Sequence, residues 1–324
     1  MPRPRRCLAS LVLLVLALVA PRAGYSQGLP ELAPINPVAT ARSGLYFQPF
    51  RDPAPGRWTT RLALDYASVI EYNRPPQADY VLDAEVMRFS LELAHDLTPH
   101  TFIALTSSVE GAYAGFMDGF LDWYHGLLGI TISEREKRPP DQFLYTITLP
   151  DGAGVSRARS NLFLQDLRVG LGIRYTPRLQ SVISLTLPTS TGPEGYGKGV
   201  VSVAILNTFR APLGSRVTYE GSLGLGFTPT HGSLPQSQRE TFAAASSGLR
   251  ARVWGRQSLF ANLFYHSPYY HDTTLPALDR KELSLDFGWI LRTHRGGEWR
   301  VGMTEDLEPA GPAVDLVFRF AGSF

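Results

Sequence analysis

From Trp58 onward, apolar and polar residues alternate singly along most of the chain. The clearest run is the last, Ala313 to Phe324. Val314, Leu316, Phe318, Phe320, Gly322 and Phe324 share one parity, and Asp315, Arg319 and Ser323 fall on the other. A period of two is that of a β-strand with one greasy face and one polar face. A chain that closes on such a strand, with an aromatic as its last residue, suits a barrel whose last strand pairs with its first. Phe318, Phe320 and Phe324 would then belong to the closing seam, and no edge would be left unpaired.

The same period recurs upstream. In Trp58–Tyr72, Trp58, Leu62, Leu64, Tyr66, Ile70 and Tyr72 share one face, against Arg61, Asp65 and Glu71. Val81–Leu97, Thr101–Tyr113, Leu167–Tyr175, Leu179–Leu187, Gly199–Phe209, Arg216–Phe227, Gly248–Trp254, Leu259–His266, Glu282–Arg292 and Trp299–Thr304 follow. Asn207 breaks the outward face of its segment. Phe260 and Phe264 compete with Leu263 and Tyr265 for the outside of theirs. The total is about twelve strands, an even number as bacterial barrels require. Connections alternate in length: short near Pro99, Pro177, Pro212, Gly255 and Gly296–Gly297, longer near Pro75, Pro188–Gly197, Pro229–Gln238, Pro268–Leu278 and Leu307–Pro312, and longest over 114–160. Short periplasmic turns and long outer loops have this rhythm. The expected fold is an all-β transmembrane antiparallel barrel over 57–324, with a short amphipathic helix in one long extracellular loop.

Charge tests the parity independently. Arg61, Asp65, Arg88, Glu92, Glu110, Asp166, Arg168, Arg174, Arg216, Glu220, Arg250, Arg252, Glu282, Asp286, Arg292, Arg300, Asp315 and Arg319 fall on the polar parity. The apolar parity of the strong strands carries none. A charge facing lipid at the midplane costs about 2–4 kcal/mol, so this separation fits lipid outside and an ionic lumen inside. A soluble sandwich would turn its charges outward and bury its apolar face. Gly170, Gly172, Gly224 and Gly226 share the inward parity, where small residues make room in a lumen.

Composition then narrows the setting. The chain has 324 residues, and hydrophobic residues are 44% of it. The one long apolar run, Leu11–Ala20, is too short to span a bilayer as a helix. With Arg3, Arg5 and Arg6 before it and small residues at Ala23–Ser26, it reads as a secretory signal over 1–26. Losing that segment takes the formal charge from +2 to about −2, which removes any argument for nucleic acid. Cys7 goes with it, so the mature chain forms no disulfide. Residues 27–56, rich in proline and without clear periodicity, read as a periplasmic lead-in, part of it folding into the lumen. The expected location is the bacterial outer membrane. The expected partners are outer-membrane lipid, lipopolysaccharide and, during insertion, the barrel-assembly machinery.

Candidate chemistry is sparse. In Gly115–Ile130, Phe116, Phe120, Tyr124 and Leu127 recur at helical spacing, as do Met117, Leu121 and Leu128. Asp118, Asp122 and His125 are spaced i, i+4 and i+7 and would project from one face. That is either a carboxylate–imidazole cluster or the solvated face of a plug or lid. The apolar side could equally rest on the outer leaflet or the barrel mouth. Phe116, Asp118, Gly119, Phe120, His125 and Gly129, then Gln142–Phe143–Leu144–Tyr145, resemble the central signature of an uncharacterised proteobacterial outer-membrane barrel family, domain of unknown function 3187. Gly28–Leu29–Pro30 and Asn36–Pro37 resemble its opening, while the charged run Glu134–Arg138 departs from its glycine-rich step. The resemblance implies an outer-membrane barrel and brings no assigned activity.

No catalytic residue, metal or cofactor is assigned. The leading expectation is a narrow channel or transporter for small solutes. The alternatives are a lipid-modifying enzyme with His125 or His266 as base, and a non-conducting surface or structural barrel. Tyr265–His266–Ser267 and His271–Asp272 lack the His-x-Ser spacing that such lipid hydrolases resemble.

Overall fold

The computed structural model describes residues 28–129, 137–294, 296–307 and 316–324. The signal read at 1–26 and Asp315 lie outside them. Twelve long strands form the wall: β1 Trp58–Asn73, β2 Asp79–Asp96, β3 Thr101–Tyr113, β7 Leu167–Thr176, β8 Leu179–Leu187, β9 Ser202–Pro212, β10 Val217–Phe227, β11 Thr241–Trp254, β12 Gln257–His266, β13 Glu282–Arg292, β14 Glu298–Asp306 and β15 Leu316–Ser323. Each pairs antiparallel with its neighbours. β1 meets β15 from Arg61↔Ser323 to Ser68↔Leu316, so the sheet closes into a barrel. Backbone bonds between Thr60 and Phe324 (3.0 and 2.8 Å) extend the seam to the final residue. Among the described residues no helix is long and apolar enough to cross a membrane; the strands do the crossing.

The stretch 114–160 is not free of strands. Three short ones lie in or against it: β4 Leu144–Thr148, β5 Gly154–Arg157 and β6 Ser160–Leu164. β4 pairs with the far end of β2, beyond where β3 departs, and β6 continues the edge of β3. Runs of four or five residues give periodicity too little length to register.

The parity of the wall separates two environments. Leu64, Phe89, Leu105, Leu171, Ile183, Leu223, Leu259, Val301 and Phe320 are exposed around the outside. Asn207 also points outward, and Ser181 on the neighbouring strand donates to it at 2.6 Å, so the polar pair satisfies itself on the apolar face. Phe260 and Phe264 point inward and are buried, leaving Leu259, Leu263 and Tyr265 outside.

Residues 28–56 fill the barrel. From Gly28 the chain rises through the interior to a short helix, α1 (Pro37–Arg42). It then returns to Asp52 beside the tight turns, with an antiparallel bridge Leu32↔Phe47 joining the two limbs. Leu29, Ile35, Val38, Leu45, Phe47 and Phe50 are buried. Gly224 and Gly226 lie under Leu45, within 3.1 Å of where their own Cβ atoms would stand, so these inward glycines make room for this plug. The plug has almost no sheet partner, so wall side chains serve its backbone. Arg250 donates to the Gly28 carbonyl (3.1 Å), Glu220 accepts from the Leu29 N–H (2.9 Å) and Thr208 donates to the Gln48 carbonyl (2.6 Å). At the long-loop end Arg42 donates to the carbonyls of Thr228, Pro229 and Arg239.

Candidate functional site

Between plug and wall runs a net of buried ion pairs. Arg319 and Arg88 both donate to Asp65, at 2.6 and 2.9 Å. Arg88 also holds the Ala33 and Pro34 carbonyls of the plug (3.0 and 2.6 Å), and Arg319 lies 3.7 Å from Asp286. Arg61 reaches Glu92 at 3.1 Å and Glu31 of the plug at 3.6 Å. Arg168 donates to Glu31 at 2.6 Å and lies over the Tyr46 ring. Nearer the tight turns, Asp96 takes Arg174 (2.9 Å) and Arg51 of the plug (3.1 Å), and Asp52 takes Arg210 (2.9 Å). Glu298 binds Arg250 (2.8 Å) and Arg300 (3.1 Å). In a low-dielectric interior such pairs hold geometry, because removing one partner leaves the other charge uncompensated.

The inward parity therefore reaches the net through Arg61, Asp65, Arg88, Glu92, Arg168, Arg174, Arg250, Asp286, Arg300 and Arg319. Glu110, Glu220 and Glu282 are also buried inside, Glu282 accepting from the Tyr269 hydroxyl at 2.7 Å. Asp166 accepts the backbone N–H groups of Ser190 and Lys198 (2.9 and 2.8 Å). Arg216 and Arg252 are exposed at the tight-turn rim, and Arg292 is half-buried there. Parity fixes the side a residue faces, not its depth. The plug's Glu31, Tyr46 and Arg51, and Lys198 in the loop after β8, are not on any strand and carry no periodic signal. Asp96 shares the parity of Arg88 and Glu92 and was readable from it.

A cavity of about 150 Å³ remains between the plug and this side of the wall. Glu31, Ser43 and Tyr46 border it from the plug, and Arg61, Glu110, Arg168 and Lys198 from the barrel. Burial pushes the Lys198 ammonium down to about 8, with Asp166 pulling the other way. Ser43, also on the cavity, sits 2.6 Å from His266 Nε2, and His266 Nδ1 is 2.5 Å from the Ser267 carbonyl. His266 is fully buried inside the barrel, where outer-leaflet lipid does not reach it. His271 and Asp272 form an exposed pair at 2.9 Å in a loop.

The loop helix, α2 (Asp118–Leu128), lies on the outside of the wall. Met117 and Leu121 pack on Leu316, Met303, Tyr66 and Phe318, and the Phe120 and Phe318 rings are 5.8 Å apart. Phe116, Trp123 and Leu127 remain exposed. The outward parity is therefore not free of charge. Asp83, Glu85 and Glu305 point outward near the long-loop end and are engaged by this loop. Arg138 bonds Asp83 (2.8 Å), and Tyr124 donates to Glu305 (3.1 Å). Glu85 accepts the N–H groups of Phe116 and Met117 and the Tyr66 hydroxyl. Asp118, Asp122 and His125 do not form one polar face. Asp118 accepts the Asp141 N–H (2.6 Å), Asp122 is exposed, and His125 is buried towards the wall. Among the described residues no group of three His, Cys, Asp or Glu is placed to hold a metal.

A solved structure shares the architecture. The COG4313 outer membrane channel from Pseudomonas putida F1 superposes with a TM-score of 0.53 at 12% identity, over 84% of this chain and 96% of that one. The Ralstonia pickettii toluene transporter TbuX gives 0.42 at 9% identity over 84% and 90%. A Pseudomonas aeruginosa FadL homologue gives 0.40 at 8% identity over 93% and 99%. At 12% identity the likeness to the first is one of fold alone. Among curated proteins none matches the chain. The family of proteins of unknown function DUF3187 matches over residues 5–321, and the chain, a closed twelve-stranded barrel of the outer-membrane kind, belongs to it.

Proposed function

We propose that the chain is an outer-membrane channel or transporter for small solutes, whose lumen is narrowed by its own N-terminal segment. The observation that carries this reading is the cavity between plug and wall, bordered by fixed ion pairs. A barrel built only to brace a membrane gains nothing from keeping open space bordered by charges there, since apolar packing would cost less than buried ion pairs. Twelve strands suit a narrow path, lying between small filled barrels and wide porins. In this reading residues 1–26 are removed on export. The tight turns face the periplasm and the long loops the lipopolysaccharide side. The barrel-assembly machinery inserts the chain. The solute passes beside the plug or moves part of it.

The test is conductance of the purified mature chain in planar bilayers. Resolved channel events, enlarged when Arg42→Met removes the three carbonyl contacts at the top of the plug, are expected. A silent membrane with both proteins, each shown to be folded and inserted, would remove the channel reading.

A further inference from the structure

Two charged groups on the cavity have no ion partner among the described residues. Glu110 is fully enclosed on the inward face of β3, and neither of its carboxylate oxygens meets a hydrogen-bond donor. Lys198 gives one Nζ hydrogen to the Thr40 carbonyl at 2.6 Å, and its other two donors meet no carboxylate at ion-pair distance. The remaining charges around the cavity are matched within the net described above, and Asp166 is taken up by backbone N–H groups. An unpaired carboxylate and an unpaired ammonium in one enclosure each carry a desolvation cost that an opposite charge offsets. They are not in ion-pair contact, so each offsets the other only in part. What satisfies both is a solute with a cation at one end and an anion at the other.

We propose that this cavity binds a small zwitterion, an amino acid in size, with its ammonium at Glu110 and its carboxylate at Lys198. The proposal deepens the channel reading and rests on it, since the cavity lies where the solute would pass. The volume agrees: a cavity of about 150 Å³ accepts a ligand as large as benzene, about six heavy atoms. A simple amine would leave Lys198 unmatched, a simple carboxylate would leave Glu110 unmatched, and a neutral solute would leave both.

The test is calorimetric titration of the full mature chain in nanodiscs with glycine, 3-aminopropanoate and 4-aminobutyrate. Propylamine and propanoate serve as one-charge controls. Saturable binding of at least one zwitterion, about tenfold or more tighter than either control, is expected, since about 1.4 kcal/mol per lost charge contact is a factor of ten. Glu110→Gln keeps the shape and removes an unpaired buried charge, so the variant should fold. It should weaken the zwitterion about tenfold and leave propanoate unchanged. Lys198→Met should do the converse, sparing propylamine. Heat-dependent mobility on gels confirms the fold of each variant. Zwitterions no tighter than the controls, tight binding of the amine alone, or indifference to both substitutions would each overturn the proposal. Conductance of the same preparations separates the two readings. A conducting barrel without zwitterion binding overturns this site alone, and binding without conductance overturns the channel.

Discussion

Asp65 and Arg319 stand opposite each other across the seam that closes the barrel, 254 residues apart in sequence, with Arg319 Nε donating to Asp65 Oδ1 at 2.6 Å. Arg88 on the other side of β1 donates to the same carboxylate at 2.9 Å. One acid thus ties the first strand to both its neighbours, and through Arg88 to the plug. Asp65→Ala leaves two buried guanidinium groups facing each other. A loss of about 3–5 kcal/mol is expected, the range for breaking a buried pair from one side. Urea unfolding in vesicles would read it, and an unchanged midpoint would mean that water already shields the pair.

Glu85 points to the lipid side of the wall, yet it is nearly inaccessible, because the start of α2 lies on it. Gly115 makes this approach possible. Its φ is +75°, and a Cβ there would stand 1.8 Å from the Glu85 carboxyl carbon. The carboxylate then serves the N–H groups of Phe116 and Met117, the two residues that lead into the helix, where the helix dipole also favours negative charge. Glu85→Gln should cost about 1–2 kcal/mol of local stability. Protease cleavage of the 114–143 loop should quicken while the barrel's gel mobility stays the same. Equal cleavage rates would show that the apolar contacts of Met117 and Leu121 hold the helix unaided.

The wall was readable in the sequence because lipid enforces one rule along every strand, and a period of two states that rule locally. The alternation that ends in Phe318, Phe320 and Phe324 announced the seam for the same reason. The rule fails where lipid does not touch the wall: Asp83, Glu85 and Glu305 point outward because loop residues engage them. The plug's path left no local trace, since its partners lie far along the chain. Leu29 meets Glu220, Ser43 meets His266, and Arg51 meets Gln180. The inward charges followed from parity, whereas their depth did not, as Arg216 and Arg252 at the rim make plain. Lys198 was invisible because a loop has no parity to assign it.

Gly226 offers a way to move the plug without touching its charges. A Cβ added there would stand 3.1 Å from Leu45 Cγ, closer than side chains ordinarily pack. Gly226→Leu overfills that contact, at a cost of about 1–3 kcal/mol if the wall stays rigid. The wall is hydrogen-bonded on both sides of Gly226, to Ala204 and Phe242, whereas the plug around Leu45 has no strand on either side and is tied by the Leu32–Phe47 bridge and by side chains. The plug should yield first. The expected readout is a conductance larger than that of the unaltered chain, with the barrel intact on gels. A conductance at or below the original would mean that the wall deforms instead.

Lys198 sets a pH dependence whose sign is fixed by its surroundings. Asp166, Glu110, Arg42 and Arg168 are the charged groups that act on it, and its Nζ donates to the Thr40 carbonyl of the plug at 2.6 Å. Burial holds the ammonium at about 8 in the folded chain, against 10.5 when exposed. Between those values the unfolded chain binds more protons, so rising pH favours the folded state through this group, and below about pH 8 the penalty is present in full. Lys198→Met removes the penalty along with one hydrogen bond. The variant should exceed the original in stability at pH 7 by at most about 3 kcal/mol, and the gap should shrink by pH 10. Urea midpoints at the two pH values decide it. A gap of the same size at both would mean that water keeps the Lys198 ammonium solvated, so that folding leaves its proton affinity unchanged.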